Sequence, residues 1–280
     1  VTVKIVTDST CDLPEDLVLR YGITVIPLYV NFGSRSYLDG IELSRQEFYE
    51  MLPDAEVFPT TAVPGISVFT KTYQDLADYG ASEVLSIHIS ETLSATPQVA
   101  TKAAEEAEAI AVTVFDPGQV TVGTGLAVLA AARAAEEGKS VAEIVPLLED
   151  MAPRIHSYAA LDTVEFLRRS GRLSAIQYGL STILSIKPLI TMHGGELSSA
   201  RVRTAKGCIQ HMIDLVAELG PLEELALVHT NAPLKAEKLY REASHLFSSD
   251  EPPLSVDVTP VIGAHVGPNA VGMVAVAAGA

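Results

Sequence analysis

As far as Met151, short β-branched runs alternate with stretches of helical pattern, and this alternation restricts the fold more than any other feature of the chain. Residues 3–6, 23–30, 84–89 and 111–115 have the composition of strands. Residues 14–20, 44–51, 65–79, 94–109, 123–137 and 141–151 read as helices. Local signals mark their ends. Pro14 stands in a first turn, followed by Glu15 and Asp16 where the helix dipole favours acid. Ser44 with Glu47 three residues on forms a capping box, and Gly138 closes the helix before it. Repeated βα units predict a mostly parallel, doubly wound sheet.

The pattern then changes. Residues 155–160 read as a strand, 163–169 as a short helix and 180–185 as an apolar helical stretch. Residues 188–192 and 196–203 flank Gly194-Gly195 as a β-hairpin. A helix over 208–219 follows, then a strand over 224–229, a helix over 234–247 and strands over 254–261 and 272–278. This half predicts an α+β arrangement with a mixed or antiparallel sheet. Pro153 interrupts the pattern, so the expected division is an α/β domain over 1–152, carrying hydroxyl-rich ligand loops, and an α+β domain over 153–280. No internal repeat or low-complexity linker stands out.

Composition narrows the function. The chain has 280 residues, 48% of them hydrophobic, enough for a substantial core. Its formal net charge of −16 argues against nucleic acid as a partner, because binders of phosphate backbones are basic. It argues equally against a polybasic attachment to anionic lipid. The two cysteines, Cys11 and Cys208, make no disulfide framework and no CxxC motif, which fits a reducing compartment. The opening run is too short for a signal-peptide core, and the apolar helical segment 125–135 is short and carries Arg133. A cytoplasmic protein without integral membrane association is expected.

Enzyme signatures are mostly missing: there is no HExxH, GxSxG, P-loop or GxGxxG opening a helix. The seven histidines are scattered without metal-ligand spacing, so neither a metal nor a cofactor is expected. Asp8-Ser9-Thr10 follows the first strand, at the end where α/β sheets place ligand-contacting residues. It reads either as an aspartyl-phosphatase loop or as an Asx-type turn, with Ser9 a pocket candidate. Thr60 and Thr61, fixed between Pro59 and Pro64, form a rigid hydroxyl pair that serves as an anion receptor or as a helix cap. Ser90, Thr92, Ser94 and Thr96 crowd a strand–loop–helix junction where outward N–H groups favour an anion. His265 lies among small residues between Gly263 and Gly267, which allow close approach of a ligand or of backbone. Two basic islands, Arg168-Arg169-Ser170-Gly171-Arg172 and Arg201-Val202-Arg203-Thr204-Ala205-Lys206, hold six of the 19 lysines and arginines. They form a solvated face or meet a phosphate.

In order and spacing these motifs resemble the DegV family, as a single unit over residues 3–279. The resemblance is carried by Asp8-Ser9-Thr10 with Leu13-Pro14, by Pro59-Thr60-Thr61, and by Ile89-Ser90 through Leu93-Ser94-Ala95-Thr96. It continues in Ser170-Gly171-Arg172, Lys187-Pro188, Val202-Arg203-Thr204 and Ala264-His265-Val266-Gly267. Ala95 stands where the family has glycine, Pro97-Gln98 replaces its Tyr-Gln, and Pro268-Asn269-Ala270 departs from its glycine-rich version. The best understood members are the fatty-acid-binding subunits of bacterial fatty acid kinase. The resemblance implies a Rossmann-like parallel-sheet domain plus an α+β domain, enclosing a long-chain, palmitate-like fatty acid without any cofactor. It implies a carboxylate held by Thr61, Ser94 and His265, with Ser9, Thr60, Thr96 and Gly267 as secondary pocket candidates. Arg172 and Arg203 map to positions associated with a phosphorylated headgroup or with kinase docking. The implied role is a non-catalytic carrier that presents the acid to a separate kinase subunit, the acyl phosphate then entering phospholipid synthesis. The rival is a hydrolase or phosphatase that uses Asp8, or Ser94 with His265.

Overall fold

A computed structural model describes residues 2–177, 187–247 and 253–279. In chain order its first half contains β1 (Val3–Asp8), α1 (Glu15–Arg20), β2 (Thr24–Ile26), β3 (Tyr29–Phe32), β4 (Arg35–Leu38), α2 (Arg45–Met51), β5 (Thr60–Ala62), α3 (Ile66–Asp78), β6 (Glu83–Ile87), α4 (Thr96–Glu106), β7 (Ala111–Phe115), α5 (Val122–Glu136) and α6 (Val141–Met151). The second half continues with β8 (Ile155–Ala160), α7 (Glu165–Arg169), β9 (Ile176–Gln177), β10 (Lys187–His193), β11 (Glu196–Val202), α8 (Ala205–Glu218), β12 (Leu222–His229), α9 (Pro233–Glu242), β13 (Ser255–Asp257), α10 (Pro260–Val266) and β14 (Val271–Ala277). The helical stretch expected over 180–185 lies outside the described residues.

Three sheets result. The first is parallel, in the order β2-β1-β6-β7. The second has seven strands in the order β13-β12-β14-β8-β10-β11-β9, antiparallel except for the pairs β12–β13 and β11–β9. The third is a small antiparallel sheet, β4-β3-β5, that sequence periodicity did not suggest. The α/β class and the mixed second sheet are as expected.

Two strand expectations need correction. Residues 23–30 are not one strand, because Pro27 has no N–H for a ladder. The chain leaves β2 at Ile26 and resumes as β3 in another sheet. Residues 254–261 are not one strand either. β13 ends at Asp257, Thr259 caps the next helix with its side chain, and Pro260 opens α10 in the first turn, where its missing N–H costs nothing. The capping box at Ser44 is formed: its Oγ accepts from the Glu47 N–H at 3.2 Å and the Glu47 carboxylate accepts from the Ser44 N–H at 2.9 Å.

Helix α5 explains how the sheets are joined. Its residues 122–132 carry no charge, and eleven of its residues are buried, as a helix lying between two layers requires. One core cluster runs from Ile5 and Leu85 of the parallel sheet, through Leu126 and Ala131, to Ile155 and Val274 of the seven-stranded sheet. The opposite face of that sheet is covered by α8 and α9 through Met212, Ile213 and Leu239. The core therefore draws on residues either side of Pro153.

Candidate functional site

The order β2-β1-β6-β7 puts the reversal of winding between β1 and β6, and in open α/β sheets ligands enter at the carboxyl ends beside such a reversal. A cavity of about 230 Å³ lies there. Thr10 lines it just beyond β1, and Ile89, Leu93 and Ser94 line it beyond β6. Ser157, Ala159 and Leu161, alternate residues running off β8, line it from the seven-stranded sheet, together with Ile190 and Met192 of β10. Thr61 of β5 and Val261, Ile262 and His265 of α10 complete the wall.

Thr61 and His265 meet although 204 positions separate them: Oγ1 lies 2.9 Å from Nε2. The pairing of β5 with β3, Thr61 opposite Val30, sets the hydroxyl, and the last turn of α10 sets the ring. Burial, and then the positive charge of Arg172, lower the His265 pKa to about 4, so the ring is neutral at pH 7. Its Nδ1 is buried and has no partner among the described residues. A buried ring nitrogen without a partner is costly and suits a ligand group.

Ser94 sits in the loop between β6 and α4. The N–H groups of Leu93 and Ser94 both donate to the Ser90 carbonyl, at 3.0 and 3.1 Å, which holds the loop tight. Ser94 Oγ lies 2.8 Å from Thr96 Oγ1 and accepts from the Thr96 N–H at 3.2 Å. Ala95, the position of the family's glycine, has φ −78°, a conformation open to any residue, so the substitution leaves the loop unstrained.

Arg172 also lines the cavity, its Nη1 donating to the Ser170 carbonyl at 2.8 Å. Among the described residues it is the one guanidinium or ammonium group on the wall, and no carboxylate lines it. Arg203 is exposed and does not reach the wall. Ser9, Thr60, Thr96 and Gly267 flank the cavity without lining it. Ser9 Oγ accepts from the Leu28 N–H at 3.2 Å, and Thr60 is exposed, 3.5 Å from Asn31 Nδ2. Gly267 has φ +77°, and a Cβ there would stand 2.4 Å from the Phe166 ring. Thr10, Thr121, Ser157 and Thr230 supply wall hydroxyls that sequence reading did not single out as ligands.

Asp8 is a strut and not a wall residue. Its Oδ1 accepts from the Thr10 N–H at 3.0 Å and from the Thr10 hydroxyl. Its Oδ2 accepts from His88 Nδ1 at 2.9 Å and from the Ile89 N–H at 3.3 Å. His88 passes the chain on to Ser86 at 2.7 Å, and Ser86 to Tyr73 at 2.9 Å. With its acceptor sites occupied and its side chain fully buried, this carboxylate ties β1 to the end of β6. The aspartyl nucleophile expected of a phosphatase loop is not free to attack. Ser94 and His265 are bonded to Thr96 and Thr61, and no hydrogen bond joins them to each other among the described residues.

Among the described residues, no group of three or more His, Cys, Asp or Glu is placed to hold a metal ion. No helix there is long and apolar enough to cross a membrane.

A parallel sheet set against a mixed sheet, with a largely apolar cavity whose described polar wall groups are hydroxyls, the His229 and His265 rings and the Arg172 guanidinium, defines an α/β protein with an enclosed cavity. The chain belongs to the DegV family: the family model, described as "Uncharacterised protein, DegV family", matches residues 2–278. It is 37% identical over 280 residues to a DegV domain-containing protein of Streptomyces coelicolor, covering 97% of each chain. It resembles the solved structure of a DegV family protein from Thermus thermophilus, described for its fatty acid binding, with a TM-score of 0.89, 32% identity and 99% and 100% of the two chains covered. It also resembles DegV, a fatty acid binding protein from Bacillus subtilis, with a TM-score of 0.90, 29% identity and 99% of each chain covered.

Proposed function

We propose that this chain is a non-catalytic carrier for one long-chain fatty acid. The observation that carries the reading is the charge pattern of the cavity wall: among the described residues it holds one guanidinium, Arg172, no carboxylate, the neutral ring of His265, and otherwise mostly hydroxyls and hydrocarbon. Such a wall suits a molecule with a single negative charge and a long apolar tail. The fatty acid binding described for the Thermus and Bacillus relatives supports the same ligand class.

In this reading Thr61 and Ser94 from residues 1–152, and His265 from residues 153–280, hold the carboxylate, and Arg172 faces it. The tail runs against Leu161, Ile190 and Met192. A tail of about 14 methylenes gains at most roughly 11 kcal/mol from burial, less several for lost motion. The tail thus supplies the affinity, and the head group needs only satisfied hydrogen bonds. The bound acid is presented to a separate ATP-dependent kinase that forms the acyl phosphate, with Arg203 on the exposed docking face.

Native mass spectrometry of the protein purified from its host tests the ligand. A copurified fatty acid, retained at lower occupancy in Thr61→Ala and Ser94→Ala, is the expected result. An empty protein that takes up no added palmitate would overturn the reading. The kinase role is tested by adding the catalytic subunit of a bacterial fatty acid kinase with ATP and trapping acyl phosphate with hydroxylamine; no product from a loaded carrier would remove that role and leave the ligand assignment standing.

A further inference from the structure

Behind the acyl cavity, on the face of the seven-stranded sheet covered by α8 and α9, lies a second cavity of about 370 Å³. The two cavities share Leu161 and Val271 in their walls but no charged group, so the second is a separate site. Its wall carries four ammonium groups, Lys187, Lys206, Lys235 and Lys238, against two carboxylates, Asp162 and Glu242. Among the described residues an excess of two positive charges gathers here, in a chain whose net charge is −16.

The ion pairs around the cavity do not absorb that excess. Lys187 and Lys235 share the single carboxylate of Asp162, at 3.2 and 3.5 Å. Lys238 reaches Glu242 only at 3.8 Å along α9. Lys206 has no carboxylate within ion-pair distance among the described residues. Two of the ammonium groups are also anchored by backbone: Lys187 donates to the Asp162 carbonyl at 3.1 Å and Lys235 to the Asn269 carbonyl at 3.0 Å. Asn269 offers that carbonyl from a left-handed conformation, φ +67°. Lysines from β10, α8 and α9 thus converge on one concave surface, and Asp162 and Glu242 balance only part of their charge.

We propose that this cavity binds a small organic phosphate. A phosphate monoester carries close to two negative charges at pH 7, which matches the excess, and three acceptor oxygens that the lysine N–H groups can bond. Lysine suits phosphate as a point charge. The floor contains Ile209, Leu239 and Val271, so an organic group fits beside the phosphate where a bare ion would leave apolar surface uncovered. The proposal does not depend on the acyl ligand of the other cavity.

The experiment titrates the full chain, at low salt, with inorganic phosphate, glycerol 3-phosphate and AMP by calorimetry. At least one ester is expected to bind with a dissociation constant below about 1 mM, weakening in high salt. Preference for glycerol 3-phosphate assigns lipid-headgroup chemistry, and preference for AMP assigns nucleotide chemistry. Lys187→Gln/Lys206→Gln is expected to lose roughly tenfold or more in affinity while its thermal midpoint and acyl content stay unchanged. If that variant fails to fold, Lys206→Glu, at an exposed position on α8, provides the same comparison. Absence of binding by both esters up to about 10 mM, or equal binding by the variant, overturns the proposal.

Discussion

The backbone N–H of Thr259 donates to the Asp12 carboxylate at 2.8 Å, tying the cap of α10 to the loop after β1. The same oxygen takes Arg45 Nη2 at 3.2 Å, and the other takes the Thr121 hydroxyl at 2.7 Å. Thr121 leads into α5 and α10 carries His265, so one buried carboxylate fixes the starts of two helices that border the acyl cavity. Removing it leaves the Thr259 amide and the Thr121 hydroxyl without this acceptor, while Arg45 keeps the Asp257 carbonyl. Asp12→Ala is expected to cost roughly 3–5 kcal/mol and to weaken fatty acid retention. Urea unfolding and acyl content by mass spectrometry check both, with the exposed Asp54→Ala as the unaffected control.

Stability should carry a pH signature from the same carboxyl. Burial raises the Asp12 pKa to about 7, against the opposing pull of Arg45, Thr121 and Thr259. A carboxyl with a folded pKa above its ordinary 3.8 favours the folded chain when protonated. Its contribution is complete below about pH 3.8 and is lost as the pH rises through about 7. Asp8 acts in the opposite sense. Burial raises its pKa, but the bonds from His88 and Thr10 outweigh that and hold it below 3.8, so its stabilisation is present above that pH and lost in acid. Asp12→Asn keeps an acceptor and tolerates φ +52°, and it removes only the Asp12 titration. The stability of the parent relative to this variant should fall by up to about 1.4 kcal/mol per pH unit between pH 4 and 7. A difference independent of pH would sink the assignment.

The contact between Thr61 and His265 makes a coupling measurable. Thr61→Val and His265→Phe are each expected to weaken fatty acid binding by about 1–2 kcal/mol, five- to thirtyfold. The double variant should lose less than the sum, because both act through one hydrogen-bonded unit. Displacement of a fluorescent fatty acid reads all three, and strictly additive losses would show that the two side chains do not work together. Arg203→Gln, exposed and off the wall, should leave binding unchanged.

Helix α5 passes so close to the loop after β1 that a Cβ at Gly125 would stand 2.3 Å from the Cys11 carbonyl oxygen. Backbone on both sides cannot yield as a side chain would. Alanine's advantage in a helix, up to about 1 kcal/mol, is therefore outweighed by overpacking of about 1–3 kcal/mol or more. Gly125→Ala should lower the thermal midpoint, and an unchanged or raised midpoint would mean that the layers can separate at low cost.

Much of this architecture was legible because local signals agreed with the fold. The bounds of α6 and β8 follow from period and caps alone. Helix α10 was not legible. Val256, Val258 and Val261 look like a strand, and residues 260–264 are buried throughout, so no polar face reveals the helical period. The hydroxyls at Thr61 and Ser94 showed in the sequence because clustered hydroxyls between prolines or after a strand are unusual. The apolar wall did not, since Ile190 and Met192 read as ordinary strand interior whether they face a core or a ligand. Asp12 gave no signal in the sequence because its partners, Thr121 and Thr259, are distant in the chain and meet only in the fold.

Arg172 should govern which head group the cavity accepts. Among the described residues it is the one guanidinium or ammonium group on the wall, and the neutral His265 ring cannot replace it near pH 7. A fatty acid and the alcohol of equal length bury the same tail, so their difference in affinity isolates the head group. Within a partly dry cavity, loss of a cation facing an ionised carboxylate costs roughly 1.5–3 kcal/mol, while a neutral hydroxyl loses little. Arg172→Gln is therefore expected to cut the preference for palmitate over hexadecanol by about tenfold or more, through weaker acid binding with alcohol binding nearly unchanged. Competition of the two ligands for the delipidated protein, followed by native mass spectrometry, measures that ratio. An equal loss for both would place Arg172 in the packing of the wall and not in recognition of charge.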